Sequence, residues 1–226
     1  MSPCMTLLSL KDKIPSAAWK VLEKEGINEL RPSQRKAIQA GLLKGKNLLV
    51  CTPTASGKTL IAELAMIKSI LEHTGKAIYI VPLKALASEK AREFKRKYGH
   101  LLKIALSSGD LDSSDPYLAD YDLIIATSEK IDSLIRHHAP WLKQIYVVIV
   151  DEVHLLNDRE RGPTLEILIT LLRHLLSNIQ IIALSATIGN PKELAAWLDA
   201  ELVEDSWRPV PLRKGVYMGD TIDFTE

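Results

Sequence analysis

With 226 residues, the chain can bury one sizeable core or two small ones, and its 46% hydrophobic and 25% charged content is ordinary for a globular protein. Its 29 Lys and Arg balance 28 Asp and Glu to a net charge of +1, which excludes a polycation and confines any nucleic-acid site to a local patch. No apolar run reaches the roughly 18–20 residues of a membrane span and no signal-peptide pattern opens the chain, while Cys4 and Cys51 suit free or buried thiols in a reducing cytosol, so a cytoplasmic location is expected.

Residues 1–45 read as a helical prelude, with helical spacing from Pro15 to Glu25 and from Ser33 to Leu43. An apolar strand at 47–51 then runs directly into Thr52-Pro53-Thr54-Ala55-Ser56-Gly57-Lys58-Thr59. A strand that ends in a Gly-Lys-Thr turn and opens a helix, here 58–73, is a device for holding a nucleotide triphosphate. Backbone N–H groups of Thr54, Ala55, Ser56 and Gly57 would line one concavity, and the helix adds the positive end of its dipole. Lys58 would reach the β- and γ-phosphates, and the Thr59 hydroxyl would hold Mg²⁺. The usual pattern places Gly six positions before the Lys, where this chain has Thr52. The loop is therefore a near-match that needs a second signal.

A strand at 76–81 leads into helical spacing at 83–97, and Lys84 to Lys97 carries six basic and two acidic side chains. That run fits a solvated helix face and equally an electropositive border for a polyanion. Further strands are predicted at 103–108 and 122–127, the second followed by a helix at 128–138. In the strand 146–151, Val147-Val148-Ile149-Val150 point to burial on both faces, and Asp151-Glu152-Val153-His154 follow. An Asp-Glu pair there lies beyond the carboxyl end of a strand, where open α/β sheets bind ligands. Asp151 can hold Mg²⁺ through water, and Glu152 can orient and deprotonate an attacking water. This is the second signal. Two such motifs in this order, each behind a strand, point to an ATPase.

Helical spacing resumes at 163–176, with Pro163 in its first turn. The helix is apolar nearly all round, from Leu165 and Ile167 to Leu175 and Leu176, which predicts deep burial over a partner surface. A strand at 180–186 and a helix at 191–199, N-capped by Asn190, follow. Residues 204–226 no longer alternate and read as the start of a connection. Strands alternating with helices predict an α/β domain, a doubly wound and mainly parallel sheet with helices on both faces.

With these motifs placed, the chain resembles the first motor domain of superfamily 2 DExH-box helicases, and within them the superkiller-type branch. It is most similar to the archaeal fork-associated DNA helicases related to the HelQ family. The resemblance covers nearly the whole chain. It implies a RecA-like P-loop NTPase domain over 46–203, a prelude over 1–45 that carries a Q-motif, and a passage over 204–226 towards a second motor domain. Asp158 to Glu166 and Trp207 to Leu212 resemble segments of that branch.

Glu29-Leu30-Arg31-Pro32-Ser33-Gln34 resembles the Q-motif, implying that the Gln34 amide pairs with the adenine edge; alone, Gln34 reads as a solvated helix position. Val81 to Ala87 resembles motif Ia, and Thr127 to Lys130 resembles motif Ib. The resemblance implies that Pro82, Lys84, Ala85, Thr127, Ser128 and Lys130 grip a single-strand backbone, with Ser108 and Gly109 adding contacts. By themselves Thr127 and Ser128 read as helix N-caps. Ser185-Ala186-Thr187 resembles motif III, implying that Ser185 and Thr187 bond to the Asp151–His154 turn. With His154 they would couple the nucleotide site to the nucleic-acid path.

The family hydrolyses ATP between two RecA-like domains, the second supplying arginines worth ~10³–10⁵ in rate in comparable systems. The chain is therefore expected to be part of a longer helicase, weakly active alone, acting with ATP and Mg²⁺ on single-stranded or forked DNA. An archaeal source would make it nucleoid-associated. An RNA helicase of the same branch is one alternative. A nucleotide-binding module that regulates a partner without hydrolysis is another.

Overall fold

A computed structural model describes residues 6–108, 114–176, 178–211, 214–219 and 221–225. The apolar runs form β1 (Leu48–Cys51), β2 (Lys76–Val81), β3 (Ile104–Ser107), β4 (Leu123–Thr127), β5 (Ile145–Val150) and β6 (Gln180–Ser185). Together with β7 (Glu201–Glu204) they make a seven-stranded sheet in the order β3-β4-β2-β5-β6-β1-β7, every neighbouring pair parallel. The helices are α1 (Ser16–Lys24), α2 (Pro32–Ala40), α3 (Lys58–Leu71), α4 (Lys84–Tyr98), α5 (Ser128–Arg136), α6 (Gly162–Leu175) and α7 (Pro191–Leu198).

Successive side chains of each strand point to opposite faces, so each strand feeds two cores. In β2, Ala77, Tyr79 and Val81 join α1–α4 on one face, and Ile78 and Ile80 join α5–α7 on the other. In β5, Val147 and Ile149 go one way, Val148 and Val150 the other. Burial on both sides is why these strands read as unbroken apolar runs. Among the described residues no helix is long and apolar enough to cross a membrane.

Four expectations change. β7 was not predicted: it is short, pairs with β1 at the sheet edge and buries only Val203, so its sequence carries little strand signal. The tail contains an antiparallel hairpin, β8 (Lys214–Met218) with β9 (Thr221–Thr225). Helix α6 is not deeply buried. Leu165, Leu168, Ile169 and Leu172 pack inward, while Ile167 and Leu175 are 50% and 55% exposed, because an outer-layer helix has one covered face. Asn190 stands at the N-cap of α7 without capping it; its amide donates to Glu193 Oε2 at 3.2 Å.

Because the sheet is parallel, every strand ends at one edge, where α/β folds bind ligands. β6 lies between β1 and β5, which places Ser185 between the Thr52–Thr59 loop and the Asp151–Glu152 turn.

Candidate functional site

Thr52 continues β1 into the loop, its N–H donating to the Ser185 carbonyl at 3.2 Å. Its hydroxyl and that of Ser56 are 2.7 Å apart and buried, and its carbonyl accepts Lys58 Nζ at 3.0 Å. The left-handed residues of the loop are Ala55 (φ 65°) and Gly57 (φ 89°), an arrangement that turns consecutive N–H groups into one concavity. A Cβ at Gly57 would lie 2.6 Å from Gln34 Nε2 and would have to displace that amide. The position of the missing first glycine needs no left-handed backbone, and Thr52 braces the loop instead. Thr52→Val should strand the buried Ser56 hydroxyl and cost about 1–3 kcal/mol, read as a lower urea midpoint, while Thr52→Ser should cost far less.

Asp151 and Glu152 leave the end of β5, Asp151 still donating to the Ile80 carbonyl of β2 at 2.9 Å. Asp151 Oδ1 accepts the Glu152 N–H at 3.0 Å, and Oδ2 accepts the Tyr79 hydroxyl at 2.7 Å. Each oxygen keeps one lone pair, so the carboxylate can still take Mg²⁺-bound waters, and a carboxylate with the Thr59 hydroxyl is the hard-oxygen donor set that suits this metal. Tyr79 is the neighbour of Asp151 that sequence reasoning missed. The available signal was a hydroxyl in an otherwise aliphatic strand. Burial first, and then the Asp151 charge, push the Tyr79 phenol well up, so it remains a donor.

Glu152 adopts φ 53°, ψ 44°, a left-handed conformation that costs a non-glycine residue on the order of 1–3 kcal/mol. His154 Nδ1 lies 3.3 Å from Glu152 Oε2, close enough for an ion pair on protonation but not aligned as a hydrogen bond. Burial lowers the Lys58 pKa, and the carboxylates of Glu152 and Asp151 pull it back up. Lys58, Asp151 and Glu152 thus act on one another across one space.

Gln34 is 3% exposed, which overturns its reading as a solvated position. Its Oε1 accepts the Arg31 N–H at 2.8 Å and its Nε2 donates to the Gly57 carbonyl at 3.0 Å. One N–H and one lone pair of the amide remain for a ligand. Beside it opens a cavity of about 440 Å³, lined by Ile27, Gln34, Gly57, Leu60 and Lys97 among others. Arg31 ties a further segment to the loop: Nη1 donates to the Ala55 carbonyl at 2.6 Å, and the guanidinium lies 5.5 Å over the Trp207 ring.

At the same edge, Pro82, Lys84 and Ala85 follow β2, with Lys84 and Ala85 exposed, and Ser108 follows β3; Gly109 lies outside the described residues. Thr127 and Ser128 are buried, and the Thr127 hydroxyl makes no cap bond, although the residue stands at the N-cap of α5. Lys130 does not face the edge. It is 1% exposed and pairs with Asp115 at 2.9 Å, so the segment's helical spacing turns it inward. Within the basic run, Lys90, Arg96 and Lys97 pair with Glu93, Glu25 and Glu63, so only Lys84, Arg92 and Lys95 remain as an exposed border. Ser185 is fully buried, and the motif reaches the Thr52–Thr59 loop through its backbone carbonyl rather than the Asp151–His154 turn through its hydroxyl. Thr187 is exposed.

The DEAD/DEAH box helicase family matches residues 31–194, a stretch that holds the loop, both carboxylates and Ser185. The chain belongs to this family. It is 55% identical over 205 residues to the ATP-dependent DNA helicase Hel308 of Pyrococcus horikoshii, covering 91% of this chain and 28% of that one. It is 57% identical over 211 residues to Hel308 of Methanocaldococcus jannaschii, covering 90% and 17%. The chain thus spans less than a third of the length of these curated relatives. Among solved structures, the DUF1998 helicase MrfA bound to DNA and AMPPNP superposes with a TM-score of 0.74 at 30% identity, over 86% of this chain and 30% of that one. The α/β architecture is the RecA-like fold of this family.

Proposed function

We propose that this chain is the first motor domain of an ATP-dependent DNA helicase, which binds Mg·ATP and the single-stranded DNA backbone and couples hydrolysis to translocation and unwinding. The observation that carries this is the convergence of Lys58, Asp151 and Glu152 on one space at the carboxyl edge of a parallel sheet. Lys58 holds the β- and γ-phosphates, Thr59 and Asp151 hold the metal, and Glu152 takes the proton of the attacking water. Mg²⁺, when bound, neutralises charge on the phosphates. Gln34 reads the adenine edge with its remaining N–H and lone pair. Pro82, Lys84, Ala85 and Ser108 line the strand path, and His154 and Thr187, with Ser185 through its backbone bond to Thr52, couple it to the nucleotide.

Residues 46–203 form the motor unit, 1–45 the prelude and 204–226 the passage to a second RecA-like domain that completes the ATPase site. The length and names of the Hel308 relatives support that second domain, and DNA over RNA as the substrate. A cytoplasmic, nucleoid-associated protein follows from the same substrate. The test compares single-stranded DNA and RNA as stimulants of ATP hydrolysis by the full-length protein. DNA stimulation that is lost on Lys58→Ala is the expected result. Stimulation by RNA alone assigns an RNA helicase, and nucleotide binding without stimulation by either assigns a regulatory module.

A further inference from the structure

Lys90 has no role in the function proposed above, yet it reaches the centre of the site. Its side chain is 17% exposed, and its ammonium donates to Thr59 Oγ1 at 3.3 Å and to Glu93 Oε2 at 3.0 Å, 6.0 Å from the Phe94 ring centre. Thr59 carries the hydroxyl placed above as the metal ligand. A cation therefore already sits against that oxygen, contributed by a helix 31 positions further along the chain.

The aim of Lys90 is set by its surroundings. Ala87, Ala91, Phe94 and Tyr98 hold α4 on the sheet. Glu93 is gripped on its other oxygen by Lys97 at 3.0 Å, Lys97 bonds buried Glu63 at 2.9 Å, and Glu63 accepts the Tyr98 hydroxyl at 2.5 Å. This chain of alternating charge runs from the interior to Thr59 and ends on Lys90. Holding a long lysine side chain in place costs rotamer entropy, which its partly buried pair with Glu93 offsets only in part.

We propose that Lys90 is a nucleotide-binding residue, a resident cation that holds Thr59 and meets the phosphate oxygens of a metal-free nucleoside di- or triphosphate in place of Mg²⁺. An ammonium makes charge-assisted hydrogen bonds to the same oxygens that a hard divalent ion would coordinate. A doubly charged ion at its short coordination distance outcompetes it, so Lys90 matters most when metal is scarce. The proposal depends on Thr59 being the metal ligand proposed above.

Anisotropy of a fluorescent ADP analogue on the 226-residue chain, in excess Mg²⁺ and in EDTA, tests it. Lys90→Met should weaken binding about 10-fold or more in EDTA and no more than about 2-fold in Mg²⁺, and Lys90→Arg should restore most of the EDTA affinity. Equal loss in both conditions, or none in EDTA, overturns the proposal. If Lys90→Met unfolds, as seen by circular dichroism, Lys90→Gln carries the same comparison. A wild-type chain that binds nucleotide in Mg²⁺ but loses it entirely in EDTA overturns the role of Lys90 alone, whereas no binding in Mg²⁺ overturns the nucleotide site itself.

Discussion

Glu152→Gln in the full-length protein should lower the single-turnover rate of ATP hydrolysis by about 10²–10⁴-fold, the range expected for loss of a general base. Nucleotide affinity should change by less than about threefold, because Lys58, Thr59 and Asp151 are untouched. Glutamine keeps the shape and the Cβ of Glu152, so the left-handed turn at φ 53° is no more strained than before. What disappears is the carboxylate that faces Lys58 and lies 3.3 Å from His154. A rate within about tenfold of wild type would remove Glu152 from the proton transfer and leave it as a support for the turn.

The second large effect is on stability. Lys97→Met should destabilise the chain by about 3–5 kcal/mol, because it leaves Glu63, 2% exposed, as a buried carboxylate facing only Tyr98. Burial already pushes the Glu63 carboxyl above its usual range, with Lys97 pulling against it. Removing Lys97 raises it further. A carboxyl whose folded pKa is raised contributes most below its unfolded value of 4.5 and loses that contribution as pH rises through the folded value. The deficit of Lys97→Met should therefore be smaller at pH 5 than at pH 8 in urea denaturation. Glu63→Gln added to Lys97→Met should recover part of the loss, since the orphaned charge goes with it. A deficit under about 1 kcal/mol at pH 8 would mean that the pair behaves as a surface ion pair.

These two residues were legible to very different degrees. Glu152 stands out because Val147 to Val150 announce a strand buried on both faces and the acidic pair follows where such strands end. Lys97 reads only as one basic residue in a run that fitted a solvated face or a polyanion border. Its partner Glu63 is 34 positions earlier on another helix, and nothing in the spacing of either helix pairs them. The same holds for Lys130, whose family position implied a phosphate contact and whose packing gives it Asp115 instead.

The sequence alone determined the α/β alternation, the placement of the Thr52–Thr59 loop and of the Asp151–Glu152 pair each behind a strand, and the sheet edge at which they meet. Those follow from the period of apolar residues and from the one edge at which parallel strands end. Only the tertiary structure decided that Tyr79 bonds Asp151 across 72 positions, that Thr52 braces the loop in place of glycine, and that Lys90 reaches Thr59. Strand order β5-β6-β1 also put Ser185 between the two motifs. Periodicity reports which face of an element is buried. It does not report which side chains of distant elements come within a hydrogen bond of each other, because that is set by strand order and by how each helix seats on the sheet.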